Sequence, residues 1–261
     1  MSNAWWQLVV LFLAGIFSGV SNVLAGGGSL VTMPLLIFLG LDAAAANGTN
    51  RLAIAIQNLF AIGGFRKLGV HDWRFGMMLF LPALPGVLLG VFTAVSIQDL
   101  LFRRVLSVIM VLVLLLIITK RTPVGGSAAV ASLTVRRKLS AMAAFALIGF
   151  YSGFIQAGVG FIVIAAMLWT TGLDLVRINA LKVFVIGLST LVATVMFAMT
   201  GNIVWRLGLV LAAGNAIGGW LGSYVAVHGG ERWIKRMLVV AVLALALKLS
   251  GLYNVFTGLL P

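Results

Sequence analysis

Gly26-Gly27-Gly28-Ser29-Leu30-Val31-Thr32-Met33-Pro34-Leu35-Leu36-Ile37-Phe38-Leu39-Gly40-Leu41-Asp42 has a second edition 132 residues later. It opens on Gly158-Val159-Gly160, runs through an apolar stretch and closes on Gly172-Leu173-Asp174. Outward from this pair the same offset aligns Asn47 with Asn179, Gly69 with Gly201 and Trp73-Arg74 with Trp205-Arg206. It also aligns Gly86 and Gly90 with Gly218 and Gly222, and Arg104 with Arg236. Upstream, Gly15, Ser18 and Gly19 match Gly149, Ser152 and Gly153 with two extra residues. Glycine and leucine could align by abundance alone, but gap-free coincidence of the rarer Asp, Asn, Trp and Arg points to duplication. Two like halves in a very apolar chain are the pattern of a secondary transporter built from repeats.

Composition sets the class. The 261 residues are 62% hydrophobic and 9% charged, which excludes a soluble globular domain. Near-membrane-length apolar runs recur, so an all-α polytopic membrane protein is expected, with the lipid bilayer as a partner. A net charge of +13 would ordinarily raise nucleic acid as a partner. Here the cations sit in short loops between spans and act as topology determinants and contacts for anionic lipid. Five acidic residues leave few candidates for a proton-coupling carboxylate, and zero cysteines exclude thiolate metal sites.

Ten apolar segments are read, five per repeat: 5–25, 29–40, 43–64, 76–96 and 101–119, then 139–157, 161–172, 175–199, 207–228 and 233–250. A bilayer core needs about 20 helical residues. The second segment of each repeat is too short to cross alone and follows a glycine cluster. Both are expected as short broken helices at the centre of a transport site, the first made more irregular by Pro34. The first repeat is assigned to 1–119, a cytoplasmic linker to 120–138 and the second repeat to 139–261. With the N-terminus outside, twelve of the eighteen cations fall in inside loops. An odd number of spans per half then makes the two repeats inverted. If the short segments are re-entrant instead, the chain crosses eight times.

No catalytic set, nucleotide motif or cofactor motif is visible, so neither an enzyme nor a cofactor is expected. The informative polar groups lie within the spans. Asp42 and Asp174 read as N-caps of the third helix of each repeat. Beyond them come Asn47, Thr49, Asn50 and Arg51 in the first half, and Asn179 and Lys182 in the second. Each repeat thus carries one cation at nearly the same depth. An unpaired cation there costs about 2.5–3.5 kcal/mol on insertion scales, and no acid is near in sequence. A bound anion would neutralise both; snorkelling to the interface is the alternative. Gly26, Gly27, Gly28 and Ser29, with Gly158 and Gly160, would add backbone N–H groups at positive helix ends. Asn22 and Gln156 precede the two clusters at matching places, and Gln57 and Asn58 follow further along. Such amides serve either as interhelical glue or as ligand contacts.

The run Gly26-Gly27-Gly28-Ser29 … Pro34-Leu35-Leu36 … Gly40 … Ala46-Asn47-Gly48-Thr49-Asn50 resembles the signature of the sulfite exporter TauE/SafE family. That family carries a Gly-rich stretch, a Pro-Leu helix and Ala-x-Gly-Thr-Ser. The resemblance implies movement of sulfur oxyanions such as sulfite, organosulfonates and thiosulfate across the inner membrane. Two departures stand out. Asn50 replaces the serine, and the second repeat has Ala180-Leu181-Lys182 in place of Gly-Thr-Ser and no proline after Gly160.

The expectation is a multi-pass inner-membrane exporter of a small sulfur oxyanion, with Arg51 and Lys182 supplying charge. An anion channel, a membrane partner subunit without flux of its own and assembly as a homodimer stay open.

Overall fold

The computed structural model describes residues 5–119, 130 and 133–229, with the backbone alone for 110–119. The described residues fold into nine α-helices: α1 (Trp5–Leu24), α2 (Ser29–Phe38), α3 (Ala43–Lys67), α4 (Trp73–Ser96), α5 (Asp99–Thr119), α6 (Val135–Phe154), α7 (Val159–Thr171), α8 (Leu175–Met199) and α9 (Trp205–His228). The tenth apolar segment, 233–250, and most of the linker lie outside the described residues. Four helices, α1, α4, α8 and α9, are long and apolar enough to cross a membrane. α3 is as long as α8 but carries Asn47, Thr49, Asn50, Arg51, Gln57 and Asn58, all buried. Lipid cannot satisfy those groups, so the helix must lie inside the bundle.

Helix starts follow local chemistry. Asp42 accepts a hydrogen bond from the Ala45 N–H at 2.7 Å, and Asp174 one from the Arg177 N–H at 2.9 Å, as read for N-caps. Asp72 caps α4 through the Phe75 N–H at 3.0 Å. α6 begins at Val135 behind Thr134, four residues before the apolar run, because Arg136, Arg137 and Lys138 form a charged first turn rather than linker. α7 begins at Val159, so Gly160 is already helical and the second glycine cluster is shorter than the sequence suggested. α2 and α7 span 10 and 13 residues, both short of a full crossing.

The packing crosses between the halves. α1 lies against α9 and α4 against α6, each pair joined along a seam of glycines. A methyl group on Gly15 would come within 2.7 Å of the Leu211 carbonyl, and one on Gly19 within 2.6 Å of the Asn215 carbonyl. Along the other seam, a methyl on Gly86 would sit 2.6 Å from the Phe150 nitrogen, and Gly149 and Gly153 abut the carbonyls of Ala83 and Val87. In both seams residue numbers rise together, so the paired helices run parallel. α3 and α8 run antiparallel: Arg51 faces Phe197, whereas Asn58 faces Gly187. With no water to expel between helices in lipid, close backbone approach at small residues supplies the attraction.

Candidate functional site

The breaks after α1 and α6 meet at the centre. Gly26 adopts a left-handed φ of +84° and Gly158 one of +72°, which end one helix and redirect the chain into the next. The Cα atoms of Gly26 and Gly160 press together so closely that a side chain on either would strike the other's backbone. Gln156 also holds a positive φ, 62°, without being glycine. Such a conformation costs about 1–3 kcal/mol and clusters at functional sites.

Around this contact lies a small cavity of about 20 Å³, lined by Asn22, Gly26, Ser29, Ile54, Gln57, Asn58, Gln156, Val159, Gly160, Lys182, Val183 and Ile186. That is room for about one water molecule. The first residues of α2 and α7 both face it, so two positive helix ends converge there. Gln156 reaches Thr190 Oγ1 through Nε2 at 2.7 Å, while its Oε1 has no protein partner. Asn22 accepts from the Gly28 N–H at 2.8 Å and donates to Gln57 at 3.0 Å. A larger cleft of about 500 Å³ opens at the turns before α4 and α8, between Gly69–Asp72 and Asp174–Leu181. Leu181 lines the cleft and the next residue, Lys182, lines the small cavity, so the two spaces lie against neighbouring faces of α8.

The two buried cations have related partners. Lys182 Nζ donates to the Val23 carbonyl at 2.7 Å and to Asn179 Oδ1 at 2.7 Å. Arg51 Nη2 donates to the Gly153 carbonyl at 2.6 Å and its Nε to Asn47 Oδ1 at 3.2 Å. Val23 and Gly153 are the penultimate residues of α1 and α6. Each cation therefore caps the negative end of the other half's first helix, where orphan carbonyls want a donor. The expectation that both cations need an anion for neutralisation is thus met in part by helix ends. Arg51 also lies over the Phe197 ring, 5.2 Å from its centroid, and does not line the cavity. Snorkelling fails for both: Arg51 is 0% and Lys182 1% exposed.

Of the residues singled out from sequence, the cavity gathers Asn22, Gly26, Ser29, Gln57, Asn58, Gln156, Gly160 and Lys182. Gly27, Gly28, Asn47, Thr49, Asn50, Arg51 and Gly158 stand behind it. Thr49 Oγ1 accepts from the Val204 N–H at 2.9 Å, Thr32 donates to Asn50 at 2.6 Å, and Asn47 Nδ2 donates to the Phe154 carbonyl at 2.8 Å. Sequence reading missed the apolar liners Ile54, Val159, Val183 and Ile186, which no local pattern marks.

The chain is similar to proteins described as probable membrane transporters. It shares 29% identity over 242 residues with one from Haemophilus influenzae, covering 89% of this chain and 90% of the relative. With the ORF9 protein of Sinorhizobium sp it shares 26% over 250 residues, covering 94% and 93%. With YfcA of Escherichia coli K12 it shares 25% over 248 residues, covering 93% and 89%. The profile of the sulfite exporter TauE/SafE family matches residues 11–249, and it is to this family of membrane proteins that the chain belongs.

Proposed function

We propose that this protein is a secondary transporter that exports a small sulfur-containing oxyanion, sulfite or an organosulfonate, across the bacterial inner membrane through the cavity at Lys182. One observation carries the reading: a buried ammonium faces a polar cavity at the meeting of two helix N-termini, and no carboxylate lines it among the described residues. Family membership supports the substrate class. We read the two halves as inverted repeats with the linker in the cytoplasm. The antiparallel crossing of α3 and α8 and the reciprocal cation-to-carbonyl bonds favour this. The 500 Å³ cleft is then the cytoplasmic approach.

A cavity with room for about one water does not admit an oxyanion without movement, which favours a carrier over an open channel. An anion leaving a negative-inside cell gains about 2.3 kcal/mol per charge per 100 mV. That supports roughly a fortyfold gradient without a coupling ion. The test is efflux of sulfite from proteoliposomes under an imposed potential. Saturable, counterflow-competent efflux that Lys182→Met abolishes is expected. Non-saturating conductance would make it a channel, and no flux in any polarity would refute transport.

A further inference from the structure

Three side-chain amides run in one direction toward the cavity. The backbone N–H of Gly28 donates to Asn22 Oδ1 at 2.8 Å. A backbone N–H cannot accept, so the Asn22 oxygen must face it and its Nδ2 must face Gln57, whose Oε1 accepts at 3.0 Å. The Gln57 nitrogen is thereby turned to Asn58, donating to Oδ1 at 3.4 Å. Each orientation fixes the next, and the last group, Asn58 Nδ2, is a buried donor without a protein partner. Asn58 is 2% exposed and lines the cavity beside Lys182. Amide orientation is normally ambiguous; here one backbone N–H sets the sense of the whole chain.

The charge around this donor is sparse. Lys182 is the one ionisable residue lining the cavity among the described residues. Arg51 donates to Gly153 and Asn47 behind the cavity. The Lys182 ammonium can offset one negative charge, while the two helix ends add only partial charge, so a second negative charge would be offset incompletely in a low-dielectric site. We propose that Asn58 Nδ2, aimed by Asn22 and Gln57, is a second anion contact beside Lys182, and that this donor pair selects singly charged oxyanions over doubly charged ones. The inference rests on the export reading above, since it assigns the same cavity.

The test uses the full chain in lipid nanodiscs, with methanesulfonate as the singly charged probe and sulfate as the doubly charged one. Binding is measured by calorimetry and the ligand-free melting temperature alongside it. The parent should bind methanesulfonate at least about tenfold more tightly than sulfate. Asn58→Leu removes this donor together with the Oδ1 that accepts from Gln57, so the melting temperature should fall modestly while methanesulfonate weakens about tenfold or more. Gln57→Glu still accepts from Asn22 but offers Asn58 no N–H. The Asn58 amide should then turn over, present its oxygen to the cavity and weaken binding to a similar degree. Parent-like methanesulfonate affinity in Asn58→Leu, or sulfate bound as tightly as methanesulfonate, overturns the inference. The two readings separate cleanly. Binding that depends on Lys182 but not on Asn58 sinks this inference alone, and a parent that binds neither probe sinks the export reading with it.

Discussion

Arg51 and Lys182 occupy matching depths and do different work. Arg51→Met should strand the Gly153 carbonyl and Asn47 Oδ1, costing about 2–4 kcal/mol of stability, while anion affinity in the folded fraction stays within a few-fold of the parent. Lys182→Met should abolish anion-dependent stabilisation. Thermal melts with and without anion check both, and equal loss of affinity in the two variants would return Arg51 to the site. A second residue-scale outcome concerns Asp99, which accepts from the Ala43 N–H and pairs with Arg103, both at 2.6 Å. Burial pushes this carboxyl up, but the Ala43 N–H and the Arg103 guanidinium outweigh it and hold it below the usual carboxylate range. A depressed folded value means stability present at neutral pH and lost as pH falls through it. Melting temperatures of the parent and Asp99→Asn should therefore differ above about pH 5 and converge in stronger acid. The two buried cations were legible in sequence because they break apolar runs. Their partners were not, because the carbonyls of Val23 and Gly153 belong to the far half of the chain and any residue type would supply them.

At the scale of elements, the glycines fall into two kinds that sequence does not distinguish. Gly69 and Gly201 hold φ near +72° with open space around them, so an added methyl meets only backbone strain. Gly160 is helical, yet its missing side chain is what lets α7 touch Gly26. Gly201→Ala should cost about 1–2 kcal/mol and leave affinity unchanged. Gly160→Ala should push α2 and α7 apart, lowering anion affinity along with stability. If the two variants match in both measurements, the Gly26–Gly160 contact has no part in the site. The caps at Asp42 and Asp174 and the short central helices were readable, since each depends on local chemistry or segment length. The starts of α6 and α7 were misjudged because hydropathy marks where lipid begins, while helices begin at caps and left-handed glycines.

For the whole molecule, the first-order expectation is topology. Reporters fused within 122–129 should be cytoplasmic and a tag at residue 2 external; a periplasmic linker would reverse the orientation. Chain class followed from composition. The pairing of α1 with α9 and α4 with α6 did not, because spacing says which segments are alike and not which ones touch. That pairing bears on how the protein is made. The glycine face of α1 is complete once Leu24 leaves the ribosome, but its cover, α9, begins at Trp205, about 180 residues later. At about 5–20 residues per second, the first helix waits roughly ten to forty seconds for its partner. Through that interval Gly15 and Gly19 must be shielded by lipid or by the insertion machinery, so α1 enters the bilayer long before its native contacts exist.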